Sequence, residues 1–213
     1  MSDKLEKIAD CIKTGNGEEI AKYTQEAVDE GISITDIMQK GLFAGMDVVG
    51  ERFKNNDMFI PEVLRSAKAM HASMDVLRPL MTEADTSSTM GTVVMATVQG
   101  DLHDIGKNLV GMMLEGAGFS VIDMGIDRTT EDIIAEVKKS KANLLGLSAL
   151  LTTTMPKMGE VVEALKNEGL RDQVKVMIGG APVTEDFKNE IGADIYAPNA
   201  SIASELTVKA VKG

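Results

Sequence analysis

Thr97-Val98-Gln99-Gly100-Asp101-Leu102-His103-Asp104-Ile105-Gly106-Lys107-Asn108 is the stretch whose reading decides the fold. Upstream, Gly91 to Val98 is apolar and rich in β-branched residues, the pattern of a buried parallel strand. Downstream, Leu109, Val110, Met112, Met113 and Leu114 recur at helical spacing. The stretch is therefore a loop at the carboxyl end of a strand, where open α/β sheets place their ligands. It carries one of the two histidines of the chain, His103, with Asp101 two residues before and Asp104 one after. A carboxylate beside an imidazole fixes its tautomer and strengthens it as a metal ligand. Gly100 and Gly106 leave room for something large to approach the backbone. A histidine in a polar loop is ordinarily solvated or a cap, so the tripeptide alone leaves both readings open. Neither G-x-x-x-x-G-K-[ST] nor G-x-G-x-x-G is present, so a phosphate cradle is not indicated.

Outward from this loop the chain divides in two. From Gly91 onward, strands at Val93–Val98, Ser120–Met124, Leu144–Ser148, Val174–Ile178 and Asp194–Tyr196 alternate with helices near 106–117, 129–139, 154–168, 184–190 and 200–211. That alternation predicts a doubly wound, Rossmann-like five-stranded parallel sheet over 91–213, with a crevice at the carboxyl ends of its strands. Residues 82–90, small and polar without periodicity, read as a linker. Residues 1–81 read as a four-helix bundle. Its first helix carries Leu5, Ile8, Ala9 and Ile12, and its second Ile20, Ala21 and Ala27. The third runs from Ile34, after Ser33 as N-cap, to about Phe53, and the fourth begins near Pro61 and ends at Pro79. The fold class is α/β, an N-terminal helical domain followed by a parallel-sheet domain.

Of 213 residues 15 are methionine and none is tryptophan; most of the methionines read as adaptable filler in helical cores. A net charge of −11 makes nucleic acid and anionic membrane poor partners. The single cysteine, Cys11, allows no internal disulfide and reads as a core thiol. The amino terminus lacks an apolar signal core and no apolar run reaches membrane-spanning length, so a cytoplasmic location is expected. His71 reads as a surface residue at the polar edge of the fourth helix.

Two more strand ends carry unusual residues. After the third strand comes Ser148-Ala149-Leu150-Leu151-Thr152-Thr153-Thr154, an uncharged run of hydroxyls, of which an N-cap near Met155-Pro156 accounts for one. After the fourth comes Gly179-Gly180-Ala181, either a tight turn or a place where a flat group lies against bare backbone. Together they describe a slot of small residues and hydroxyls with an imidazole at its mouth. A protein-only metal site needs more nitrogen, sulfur or carboxylate ligands than this, so the remaining coordination must come from a macrocycle.

At this point the residues resemble a known family. Asp101-x-His103-x-x-Gly106, then 41 residues, Ser148-x-Leu150, then 28 residues, Gly179-Gly180, resembles the signature of cobalamin-binding domains in methyltransferases and mutases. Tyr196-Ala197-Pro198-Asn199-Ala200-Ser201 is similar to a segment closing the cofactor-tail slot in cobalamin-dependent methionine synthase. Gly45–Phe53 and Met58–Val63 resemble the helical cap of methyl-transferring members, which mutases generally lack. Over about residues 5–211 the chain is similar to the free-standing corrinoid subunit of anaerobic methyltransferase systems.

The resemblance implies a corrinoid cofactor (cobalamin or its methylcobalamin form) with cobalt held by His103 as the lower axial ligand and Asp101 on the other ring nitrogen. It implies a cofactor surface of Gly100, Leu102, Asp104, Ile105 and Gly106, with Ser148, Leu150, Thr152, Thr154, Gly179, Gly180 and Ala200 toward the tail. Thr154 stands where the family's relay often ends in serine, and Gln39 where some relatives have an acidic residue. Phe53, Ile60 and Val63 would lie over the upper face of the ring. The implied function is a methyl carrier, taking a methyl group on cobalt(I) from a methyltransferase specific for a methylamine, a quaternary amine or methanol. A second methyltransferase with a tetrahydrofolate or thiol acceptor would remove it, and a reductive activation protein would be the third partner. The competing readings are a cobalamin-dependent regulator or light sensor, the cofactor subunit of a mutase, and a metal-free flavodoxin-like domain.

Overall fold

The structure, a computed structural model, describes residues 3–81 and 89–212. The expected linker 82–90 lies outside the described residues except for its last two. The chain forms two units: a helical one, Met1–Thr89 with Glu115–Gly118, and a sheet unit, Met90–Leu114 with Phe119–Gly213.

In the helical unit, α1 (Asp3–Thr14) buries Leu5, Ile8, Ala9, Cys11 and Ile12, one stripe at helical spacing. Asn16 opens α2 (Gly17–Asp29), its side-chain oxygen accepting the Glu19 amide at 3.2 Å. Ser33 likewise accepts the Asp36 amide at 3.1 Å. The third expected helix is present but not uniform. It is α3 (Ile34–Asp36), a π-helical segment Ile37–Phe43, and α4 (Ala44–Lys54). Over seven residues the apolar spacing of a π turn is indistinguishable from that of an α turn, so the sequence could not reveal it. Gly41 and Gly45 press their backbone against α1: a Cβ on Gly45 would lie 2.7 Å from Ile12 Cβ. In α5 (Ile60–Leu77) the Glu62 carboxylate reaches back to the Phe59 amide at 2.9 Å and Pro61 occupies the first turn. Its inward face includes Val63, Ala67, Met70 and Leu77, with the Ser73 hydroxyl 2.6 Å from that of Thr24 on α2.

The sheet unit begins with β1 (Thr92–Thr97) and continues α6 (Ile105–Gly116), β2 (Ser120–Asp123), α7 (Thr130–Ser140), β3 (Leu144–Ser148) and α8 (Pro156–Asn167). Then come β4 (Lys175–Gly179), α9 (Glu185–Ile191), β5 (Ile195–Tyr196) and α10 (Ala200–Lys212). Each strand and helix lies within about two residues of its expected position, and Val98 leaves β1 as a single bridge to Arg128. The strands are all parallel in the order β2-β1-β3-β4-β5. Alternation sends Val94, Ala96, Leu145, Leu147, Val176 and Ile178 to one face, packed with Ile133, Val137, Met158, Val162 and Leu165. Each fully buried Val, Leu, Ile or Met side chain here contributes about 1.5–3 kcal/mol. Thr97, Ser148 and Gly179 form one register row at the carboxyl edge of the other face; Met95, Gly146 and Met177 form the row behind it. On α10, Thr207 sends its hydroxyl to the Met177 sulfur at 3.5 Å, and Ser204 bonds the Met113 carbonyl at 3.4 Å. The order reverses between β1 and β3, so the crevice opens where the loops after those strands meet.

Candidate functional site

Both of those loops converge on Asp101. Gly100, with φ +83, turns the chain out of β1, and its amide donates to Asp127 Oδ1 at 2.7 Å. Asp101 is then fully buried and accepts five hydrogen bonds. Two come from His103, through its amide at 3.1 Å and its ring Nδ1 at 2.8 Å. Three come from the loop after β3: the Leu150 amide at 2.7 Å, the Leu151 amide at 3.2 Å and the Thr154 hydroxyl at 2.7 Å. Burial alone would raise this carboxyl, but the Thr154 hydroxyl, the His103 ring and the Leu150 and His103 amides outweigh it and hold it well below the usual carboxylate range. An ionised carboxylate only accepts, so Nδ1 of His103 carries the proton and Nε2 keeps its lone pair. The His103 side chain is 52% exposed, so that lone pair faces outward.

The same loops carry exposed apolar side chains: Ile105 is 80% exposed and Leu102 66%, with Leu150 and Leu151 exposed in the loop after β3; Ile126, in the loop after β2, is exposed as well. A position this apolar and this open marks a ligand or a partner. Asp104 turns back to its own helix, its carboxylate accepting the Asn108 side-chain amide at 3.1 Å. A Cβ on Gly106 would meet nothing within 4 Å, so that backbone lies open.

The remaining predicted residues divide. Thr154 is not the cap of α8, which begins after Met155 without a side-chain cap; its hydroxyl is spent on Asp101 and on the Leu151 carbonyl at 2.9 Å. Thr152 is exposed at the surface of the turn. Ser148 is half-buried beside Thr97 and Gly179, and Ala200 is buried at the start of α10. Gly180 has φ +132 and is partly exposed, and a Cβ there would overlap the Ala149 carbonyl oxygen, so the close approach of the two strand ends requires glycine at this position. Phe53 is half-buried at the end of α4 and Ile60 is exposed. Val63 is fully buried on the inward stripe of α5 with Ala67 and Met70 rather than exposed beside Ile60. The apolar side chains which that unit turns outward are Phe59, at 66%, with Ile60 and Leu64. His71 is half-exposed as expected, but its Nε2 lies 3.1 Å from Glu115, which raises its pKa above the ordinary value. Reading the sequence also missed the Leu151 amide and the buried hydroxyls Ser204 and Thr207, whose i, i+3 spacing from Ser201 on α10 was the available signal.

Among the described residues no three His, Cys, Asp or Glu side chains converge as a metal site. One outward imidazole nitrogen on an apolar platform, beside a sheet face of glycine and hydroxyls, instead fits a metal that arrives in its own planar ring. Comparison with known proteins agrees. The family described as B12 binding domain matches residues 91–206, and a second family of the same description matches residues 4–78. Dimethylamine corrinoid protein 1 of Methanosarcina acetivorans is 45% identical over 199 residues, 93% of each chain. Trimethylamine corrinoid protein 1 of the same organism is 42% identical, over 94% of this chain and 95% of its own. Among solved structures, the methanol:cobalamin methyltransferase complex MtaBC of Methanosarcina barkeri has a chain matching at TM-score 0.91 and 31% identity, over 100% of this chain and 81% of that one. Fold and site thus define a corrinoid-binding protein. The chain belongs to the corrinoid proteins built on the B12 binding domain.

Proposed function

We propose that this chain is the methyl carrier of a two-enzyme methyl-transfer system, with His103 as the lower axial ligand of its corrinoid. The observation that carries the reading is the buried Asp101 carboxylate on His103 Nδ1, which leaves Nε2 outward as a ligand. A bound corrinoid supplies the cobalt on which a methyl group is received and given up. Asp101 orients the ring and selects its tautomer, and Thr154 with the Leu150 and Leu151 amides keeps Asp101 ionised. Leu102, Ile105, Leu150 and Leu151 support the underside of the ring, and Ser148 and Gly179, at the partly open carboxyl edge of the sheet, receive its nucleotide tail with Ala200 behind them. The helical unit offers its own exposed apolar trio, Phe59, Ile60 and Leu64, for excluding water from a reactive face.

The donor methyltransferase is specific for a methylamine, a quaternary amine or methanol, and the second enzyme passes the group to tetrahydrofolate or a thiol. The names of the relatives, which include dimethylamine, trimethylamine and methanol systems, support this range. A reductive activation protein and a cytoplasmic location complete the proposal; no helix among the described residues is long and apolar enough to cross a membrane. The test offers the reduced, corrinoid-loaded chain to host extract with each methyl donor in turn. One donor class should methylate the cofactor, as read by its absorbance. Methylation by none, with extract active on those donors, overturns the carrier role.

A further inference from the structure

Lys107 is the most deeply buried charge of the sheet unit that the relay to Asp101 does not use. Its side chain is 1% exposed, and Nζ lies 2.5 Å from both carboxylate oxygens of Asp123 and 2.7 Å from Asn108 Oδ1. Taking an ammonium out of water is unfavourable, and an apolar side chain of similar volume would fill the space without that penalty. Stability alone is therefore a poor reason for a lysine here.

Its connections give a better one. Asp123 Oδ1 also accepts the Gly125 amide at 2.8 Å, the Gly125 carbonyl accepts the Thr97 amide at 3.0 Å, and the Thr97 hydroxyl donates to the His103 carbonyl at 2.9 Å. Four residues along the chain from His103, Lys107 closes that circuit from the other side. Asn108, on which Lys107 also rests, holds Asp104. His103 thus sits between two brackets: Asp101 holds its ring and its amide from the β3 side, and Lys107 with Asp123 reaches its carbonyl through Gly125 and Thr97 from the β2 side.

We propose that Lys107 and Asp123 are positioning residues that fix the first turn of α6 and thereby set how firmly His103 is presented as a metal ligand. This rests on the lower-ligand role of His103 given above. Asp101 decides which nitrogen is available; the ion pair decides where that nitrogen is held.

The experiment uses the full chain loaded with cobalt(II) cobalamin and grown on either ordinary or 15N-histidine. Coupling of the unpaired electron to a histidine nitrogen changes from a triplet to a doublet on labelling, so its amplitude reports the fraction with His103 bound, free of any contribution from the cofactor's own base. Lys107→Met and Asp123→Asn should each shift the bound-to-free ratio toward free by about 10-fold. The double variant should be no worse than either single one, since both remove the same link. In the cofactor-free variants the His103 ring should still protonate on Nδ1 by NMR, because the Asp101 bracket is intact; general unfolding would lose this too. If Lys107→Met does not fold, Asp123→Asn decides alone, since its side chain is 42% exposed and bears the change in solvent. Unchanged coupling in folded variants, or additive losses in the double variant, overturns the positioning role. Absence of histidine coupling in the unaltered chain overturns the lower-ligand reading itself, and this inference with it.

Discussion

Replacing Asp101 with Asn changes one oxygen to NH2 at constant shape, in a position that accepts from five donors. The amide can keep its oxygen toward the Leu150 and Leu151 amides and the Thr154 hydroxyl, or toward His103, but not both. With the oxygen toward β3, the His103 amide loses its acceptor, at about 1–3 kcal/mol. The three bonds that remain pass from a charged acceptor to a neutral one, losing about 1 kcal/mol each. The expected destabilisation of the sheet unit is therefore about 4–6 kcal/mol. The opposite rotamer orphans two backbone amides and costs no less. In the favoured rotamer the NH2 faces the His103 ring, so Nδ1 must accept and the proton moves to Nε2. That removes the lone pair the metal needs. Two assays read these consequences separately. Denaturant unfolding of a Tyr23→Phe background follows the sheet unit through Tyr196, the other tyrosine in a chain without tryptophan. Imidazole nitrogen NMR follows the tautomer, with His71 the only other signal. The gap between the two proteins should narrow in acid. Asp101 has a folded pKa below the ordinary 3.8, so its contribution is present above that value and is lost as pH falls through the folded one. A variant within about 1 kcal/mol of the unaltered chain, with His103 still protonated on Nδ1, would refute the reasoning.

Thr154→Val removes the hydroxyl 2.7 Å from Asp101 and should cost about 1.5–3 kcal/mol in the same unfolding assay, whereas Thr154→Ser stays within about 1 kcal/mol. Gly180→Ala adds a Cβ against the Ala149 carbonyl at φ +132 and should destabilise the sheet unit by about 2–5 kcal/mol, read by Tyr196. By NMR titration His71 should have its midpoint above 6.5, because the hydrogen bond to Glu115 favours the charged ring. Its stabilising effect is then fully present below about pH 6.5 and fades as pH rises through that midpoint, and His71→Gln should abolish the dependence.

The parts of this molecule legible in sequence are those set by short-range pattern. The apolar run before Gly100 and the helical spacing after it located β1, α6 and the loop between them, and the chemistry of Asp101 and His103 followed from their being two residues apart. What escaped depends on long-range partners. Asp123 is sixteen residues from Lys107, and nothing in either neighbourhood announces that they meet. Thr154 has the local context of a helix cap, and only the fold reveals that its hydroxyl is claimed by a carboxylate fifty-three residues earlier. Val63 and Leu64 are adjacent and both apolar, and which one faces the core is decided by the partners that α5 packs against, which select the stripe of Val63, Ala67, Met70 and Leu77. Gly180 adds a constraint the motif does not announce, since a Cβ there would meet the Ala149 carbonyl of the neighbouring strand end.

The central claim is that His103 Nε2 coordinates the cobalt while Asp101 holds Nδ1. Electron paramagnetic resonance of the cobalt(II)-loaded chain, grown with and without 15N-histidine and compared with His103→Ala, tests it most directly. The account predicts nitrogen coupling that responds to the label and vanishes in the variant. Coupling indifferent to the label, or surviving the loss of His103, would contradict it.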